Sequence, residues 1–177
     1  MTRDEIMALV RTVPDFPAPG ILFRDLTTLI THPAGFSSCI GQMAHCVPGG
    51  IGAIAGVEAR GFIFGAALAV HLGLGFIPVR KAGKLPVPTI GTDYALEYGA
   101  ARIEIDPTLL ALGQSVLLVD DLIATGGTAL AAAHLLREAG AVCDTALFVI
   151  DLPDLGGMAK LAEQGVEGKA LLKFAGH

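Results

Sequence analysis

Val116-Leu117-Leu118-Val119-Asp120-Asp121-Leu122-Ile123-Ala124-Thr125-Gly126-Gly127-Thr128-Ala129-Leu130 decides how this chain is read. Its first four residues form an apolar run of the kind that makes a strand buried on both faces of a parallel sheet. Two carboxylates stand where that strand is expected to end. A loop of small and hydroxyl residues follows, opening into an alanine- and leucine-rich helix that stops at Gly140. In open α/β sheets ligands bind beyond the carboxyl ends of the strands. A loop entering a helix there presents free amides and the positive end of the helix dipole, which suits phosphate. Gly126 and Gly127 permit close backbone approach, and Thr125 and Thr128 add hydroxyl donors. No Lys or Arg occurs between Arg102 and Arg137, so a phosphate at this loop is held mainly by N–H and O–H groups. Asp120 and Asp121 imply a second partner. Carboxylates accept hydrogen bonds from a vicinal diol, and they also suit Mg²⁺, directly or through water. A diol beside a phosphate describes a ribose 5-phosphate. A lone Asp-Asp would read as a helix cap and a surface turn, but the full order of strand, acid pair, Thr-Gly-Gly-Thr and helix outweighs that reading.

The rest of the composition fits such a fold. The chain has 177 residues, 53% of them hydrophobic and only 16% charged, with 23 glycines. This is enough for one α/β domain with a sizeable core. The formal net charge of −5 argues against a nucleic-acid partner. Cys39, Cys46 and Cys143 form no C-x-x-C pair and read as reduced thiols of a cytosolic protein. The N-terminus lacks the pattern of a signal peptide, and no apolar run is long enough to span a bilayer. The expected compartment is the cytoplasm, with no membrane partner.

Along the chain, Thr2 to Val13 reads as an amphipathic helix, and Pro14 to Gly20 as a stiff loop. Ile21 to Asp25 reads as an edge strand, Pro33 to Cys46 as a helix, Ile51 to Gly56 as a buried strand and Phe62 to Leu72 as an apolar helix. Phe76 to Val79 is the next strand, which makes a β-α-β unit and a parallel sheet. Gly50-Ile51-Gly52-Ala53-Ile54-Ala55 matches a dinucleotide-binding fingerprint. Its glycines are expected within a strand rather than opening a helix, so a dinucleotide site is rejected. Leu85 to Thr92 reads as an exposed loop, and Tyr94 to Tyr98 and Ala101 to Ile105 as antiparallel strands. Thr145 to Ile150 is a strand, Leu155 to Glu163 a helix and Ala170 to Phe174 a terminal strand.

Three further features carry chemistry. Arg60, in the loop after a strand, can bind a diphosphate bidentately; its alternative is a surface ion pair with Glu58. Arg80, Lys81 and Lys84 are three of the twelve basic residues, in a stretch whose Gly and Pro content suits a mobile lid over an anion. Glu97 follows that lid. In a closed, water-poor site its pKa would rise, which suits proton exchange with a nitrogen heterocycle. The five histidines have no ligand spacing and are assigned no chemistry.

Val116 to Ala129 resembles the phosphoribosyl-diphosphate (PRPP) signature of type I phosphoribosyltransferases. Phe16-Pro17-x-Pro19-Gly20-x-x-Phe23-Arg24-Asp25, Glu58-Ala59-Arg60-Gly61-Phe62, Arg80-Lys81-x-Gly83-Lys84-Leu85-Pro86 and Leu96-Glu97-Tyr98-Gly99 narrow the resemblance to the adenine phosphoribosyltransferases. It implies an α/β fold with a central, mostly parallel sheet flanked by helices. The whole chain, residues 1–177, would form one domain, with an N-terminal hood over about 1–32 and a flexible loop and hairpin over about 81–105. The implied reaction transfers ribose 5-phosphate from PRPP to adenine, giving AMP and diphosphate, with Mg²⁺ carried mainly by PRPP and no certain protein ligand. By position, Ala124, Thr125, Gly126, Gly127 and Thr128 would hold the 5-phosphate, and Asp120 and Asp121 the ribose hydroxyls. Ala59 and Arg60 would form the diphosphate loop, with a cis Glu58-Ala59 peptide. Lys81 and Lys84 would reach the diphosphate across the interface of a homodimer. Leu22, Arg24 and Leu122 would contact adenine, and Glu97 would be the catalytic acid/base. Ala59, Ala82 and Val87 depart from residues common in the family, and they bear on the lid and the diphosphate loop rather than on the acid pair. Two rivals stand beside this reading. One is transfer to hypoxanthine or guanine, and the other is a PRPP-sensing transcription regulator, which the acidic chain disfavours.

Overall fold

The computed structural model describes residues 1–95 and 100–176. In chain order it runs α1 (Arg3–Ala8), β1 (Arg11–Pro14), β2 (Leu22–Asp25), α2 (Thr27–Ile30), α3 (Pro33–Ala44), β3 (Ala53–Val57), α4 (Arg60–Leu72) and β4 (Gly75–Lys81). Then follow β5 (Ile90–Ala95), β6 (Ala100–Ile105), β7 (Ser115–Ile123), α5 (Gly127–Glu138), β8 (Val142–Asp151), α6 (Gly157–Glu163) and β9 (Glu167–Lys173). The main sheet has the order β5-β6-β4-β3-β7-β8-β9. Neighbours from β4 to β9 are parallel, and β6 joins β4 and β5 antiparallel. The mostly parallel α/β architecture expected from sequence is the one present.

Val116 to Val119 lie at the centre of this sheet with almost no exposure, because helices cover both faces. Val116 and Leu118 face α5 together with Ala53, Ala55 and Phe148. Leu117 and Val119 face the side built by α1 to α4, meeting Phe64, Leu68, Met43 and Leu29. Each such aliphatic side chain contributes about 1.5–3 kcal/mol through burial. That alternation leaves the strand no polar face, which is why its sequence runs apolar without a break.

Several local expectations give way to tertiary pairing. The first helix stops at Ala8, capped by Thr2 and Glu5, while Arg11 to Pro14 are extended and pair antiparallel with β2. Thr12 and Val13 are β-branched and fit a strand once a partner lies alongside. The stretch read as loop up to Thr92 already belongs to β5, because Ile90 pairs with Ile105. The expected β7 end at the acid pair is also too early. Pairing with β8 carries the strand through Ile123 opposite Asp151. Gly50 and Gly52 precede β3 rather than lying within it, and neither opens a helix.

Candidate active site

β3 and β7 are adjacent, but the chain leaves them on opposite faces, into α4 and α5 respectively. Such a divergence opens a crevice beyond the strands' carboxyl ends. A cavity of about 250 Å³ lies there, lined by Glu58, Ala59 and Arg60 from one exit and Asp120 through Ala129 from the other.

The Thr-Gly-Gly-Thr loop is shaped by contact as well as by sequence. Gly126 is left-handed at φ 81°, and a Cβ there would come 3.0 Å from the carbonyl oxygen of Gly157. The Gly157 amide donates to the Ala124 carbonyl at 3.0 Å, so the loop is held against the start of α6. No side chain caps α5, leaving its first amides free for an anion.

The acid pair is tightly packed. A Cβ on Gly61 would come 2.7 Å from Asp120 Oδ1, so α4 approaches the carboxylate as only glycine allows. Asp120 Oδ1 accepts the Asp121 amide at 2.8 Å. Arg60 Nε lies 2.8 Å from Asp121 Oδ2. The pair is close without being aligned as a hydrogen bond, and Oδ2 is buried with no donor among the described residues. Burial pushes both carboxyls above their usual range. The charge of Asp121 raises Asp120 further, whereas Arg60 pulls Asp121 back down. These oxygens are hard ligands that suit Mg²⁺, yet no group of three or more His, Cys, Asp or Glu among the described residues could enclose an ion. The site therefore fits a cation that brings most of its oxygen ligands with its substrate.

Arg60 differs from its expected setting. It is the first residue of α4, with Ala59 at the N-cap, and it does not pair with Glu58. Glu58 instead accepts Arg80 Nε at 3.1 Å and the Lys81 amide at 2.9 Å, and these hold its carboxyl below the usual range. The Glu58–Ala59 peptide is cis.

A second cavity of about 320 Å³ adjoins the first, and Arg60, Leu122 and Ala124 line both. Its other walls are Pro17 and Ile21 to Arg24 of the N-terminal segment together with Leu152 and Leu155 after β8. The Arg60 guanidinium sits 5.5 Å from the centre of the Phe23 ring, so one cation touches both the acid pair and the hood.

The fold thus brings together Ala59, Arg60, Asp120, Asp121 and residues 124–128 around one cavity, and Leu22, Arg24 and Leu122 around the next. Lys81 and Lys84 are exposed and line neither. Glu97 falls outside the described residues. Tyr94, Leu152 and Leu155 line the cavities without having been given a site role from the sequence, and Phe23, quoted there only within a motif, lines the second. The position of Leu152 just past a strand of the parallel sheet was a usable signal for its loop. Tyr94 carried none beyond being aromatic next to the lid.

The phosphoribosyl transferase domain family matches residues 36–154. An adenine phosphoribosyltransferase of Novosphingobium aromaticivorans is 65% identical over the whole of both chains. The chain belongs to the adenine phosphoribosyltransferases. The structure of a family member from Thermoanaerobacter pseudethanolicus superposes with a TM-score of 0.93 at 43% identity, covering 98% of this chain and all of the other. A Saccharomyces cerevisiae member, solved with an imino-altritol bisphosphate and adenine, superposes with a TM-score of 0.90 at 38% identity, covering 96% of this chain and 98% of that one.

Proposed function

We propose that this chain transfers the 5-phosphoribosyl group of PRPP to adenine, releasing AMP and diphosphate, with the two adjoining cavities as its substrate sites. The observation that carries the reading is the acid pair, with Arg60 across it, between an uncapped helix N-terminus and an apolar cavity. The amides of residues 124–128 and the hydroxyls of Thr125 and Thr128 bind the 5-phosphate. Asp120 and Asp121 accept the ribose hydroxyls and favour positive charge developing on the ring. Adenine lies against Leu22, Arg24 and Leu122. A base nitrogen then bonds to the anomeric carbon as the bond to diphosphate breaks, and Glu97 exchanges the proton with the base. Arg60, beside Ala59, takes up charge on the leaving diphosphate. Lys81 and Lys84 do the same from a second copy in a homodimer, which gives these exposed residues a role. Mg²⁺, when bound with PRPP, neutralises diphosphate charge. We place the reaction in the cytoplasm, in keeping with three free cysteines. The whole chain acts as one domain, whose hood and lid exclude the water that would hydrolyse PRPP.

The test is an AMP-forming assay with adenine, PRPP and Mg²⁺, run in parallel with hypoxanthine and guanine. Product from adenine far exceeding the other two is expected; equal rates would remove the base assignment, and no product would remove the reading. Glu97→Gln should lower turnover by about a hundredfold or more with little change in PRPP affinity. Unchanged turnover would take the acid/base role from Glu97.

A further inference from the structure

The base cavity stands between two walls that no sheet hydrogen bond joins. One wall is β2, which pairs only with β1 in a two-stranded ribbon separate from the main sheet. A two-stranded ribbon is marginally stable by itself, so its position depends on what it touches. The other wall is the loop after β8, carrying Leu152 and Leu155.

The residues after β9 touch both. On the hood side, the buried Arg24 donates from Nη2 to the Ala175 carbonyl at 2.9 Å. Its guanidinium also stacks 4.7 Å from the centre of the Phe174 ring. Its Nη1 donates to Thr12 Oγ1 at 2.6 Å, tying β1 into the same contact. On the loop side, the Phe174 amide donates to the Asp151 carbonyl at 3.1 Å. The Gly176 amide donates to Asp154 Oδ2 at 2.8 Å, between the two leucines of the wall. A Cβ at Gly176, which is left-handed at φ 81°, would lie 3.4 Å from Leu22 Cδ1.

We propose that residues 174–176 are a strap that sets the width of the base cavity, and that Arg24 serves adenine selection as the positioning residue anchoring it. Nη1 and Nη2 are taken by Thr12 and Ala175 and the face of the group by Phe174, so its contacts anchor the strap and β1. Nε is buried with no partner among the described residues, and it, the backbone and Leu22 remain to face the base. A loosened strap leaves the phosphate loop and acid pair intact, because those rest on β3, β7 and α6. Its loss is therefore read in the base and not in PRPP. This inference rests on assigning the second cavity to the base.

Three variants of the enzyme test it: truncation after Lys173, Phe174→Ala, and Arg24→Lys. Each should raise KM for adenine by about tenfold while KM for PRPP stays within about twofold. Arg24→Lys introduced into the truncated chain should add nothing, because the strap it anchors is gone. Should the truncated chain fail to fold, Phe174→Ala and Arg24→Lys with their double variant carry the same comparison. Equal effects on both substrates, no effect, or full additivity of the two changes would overturn the strap. Leu122→Phe, which fills the cavity, separates the premises. If it leaves KM for adenine unchanged, the cavity assignment fails. If it raises KM and the strap variants do not, the strap alone fails.

Discussion

The cavity proposed for the phosphate and the cavity proposed for the base share Arg60, Leu122 and Ala124, but they are built in opposite ways. The first is polar and comes almost entirely from two strand exits, residues 57–60 and 120–129, with Tyr94 added. The second is mostly apolar and draws on the hood, on Leu122 and on the loop after β8. Binding a phosphate and a diol requires amides and carboxylates aimed at one point, and a single strand-to-helix turn supplies both. Enclosing a flat base requires opposed walls, which have to come from separate parts of the chain. The cost also differs. In the first cavity it is electrostatic, two carboxylates deprived of water; in the second it is positional, a thin ribbon that must be held in place.

The comparison can be broken most severely at the acid pair. Asp120→Asn with Asp121→Asn should lower AMP formation by at least about a hundredfold while raising the thermal midpoint of the ligand-free protein. Activity measured together with calorimetry checks both halves. A fall in the midpoint would mean that the pair stabilises the fold rather than serving ligand. The gain should depend on pH in a defined direction. Both carboxyls sit above their usual range in the folded chain, so the fold binds their protons more readily than the unfolded chain does. Their penalty is complete above the folded values and fades as pH falls through them toward the ordinary aspartate value of 3.8. The advantage of the double Asn variant should shrink over the same interval.

Arg60→Ala strikes a charged residue that lines both cavities. It should raise KM for PRPP by roughly 10- to 100-fold and lower stability by about 1–2 kcal/mol. The loss stays modest because the arginine is partly exposed, although Asp121 is left buried and unpaired. Steady-state kinetics and denaturant unfolding measure the two effects. An unchanged KM for PRPP would confine Arg60 to bracing the hood through Phe23.

Leu122→Ala sharpens the contrast from the apolar side. KM for adenine should rise by about three- to tenfold with KM for PRPP nearly constant. Parallel shifts in both would mean that the two cavities are not energetically separate.

The smallest effect belongs to the base of the hood. Asp25 accepts from Thr27 Oγ1 at 2.6 Å and from the Thr27 amide at 2.9 Å, and it pairs with Arg11. These bonds hold its carboxyl down at about 2. Asp25→Asn should cost about 1 kcal/mol at neutral pH. The wild-type advantage is present above the ordinary aspartate value of 3.8 and is lost as pH falls toward about 2. Urea unfolding at two pH values measures it.

The glycine contacts explain why part of the site could be read in advance and part could not. Thr125 to Thr128 and the acid pair appear as a contiguous motif because a helix N-terminus and a strand end must be neighbours in sequence. Arg60 was legible as a cation at a strand exit, but its partner was not. Glu58 is two residues away in sequence, yet it turns to Arg80 and leaves Arg60 to Asp121. That choice is made by the adjacency of β3 and β7, which no local spacing reveals. The helix expected through Val13 ends early for a similar reason, since β2 offers Arg11 to Pro14 a partner from beyond a loop.

From its order of residues alone, the chain determined the parallel α/β sheet, the Thr-Gly-Gly-Thr loop at a helix start and the acid pair. Each depends on periodicity or on chemistry within about 15 residues, and such information is carried along the backbone. Only tertiary structure decided where Arg60 places its charge, how far β7 runs past the carboxylates, and that Leu22, Leu122, Leu152 and Leu155 meet around one cavity. Apolar walls bear no distinguishing mark in sequence. A leucine facing a substrate and a leucine facing the core are driven by the same loss of water contact, and only the packing of distant segments tells them apart.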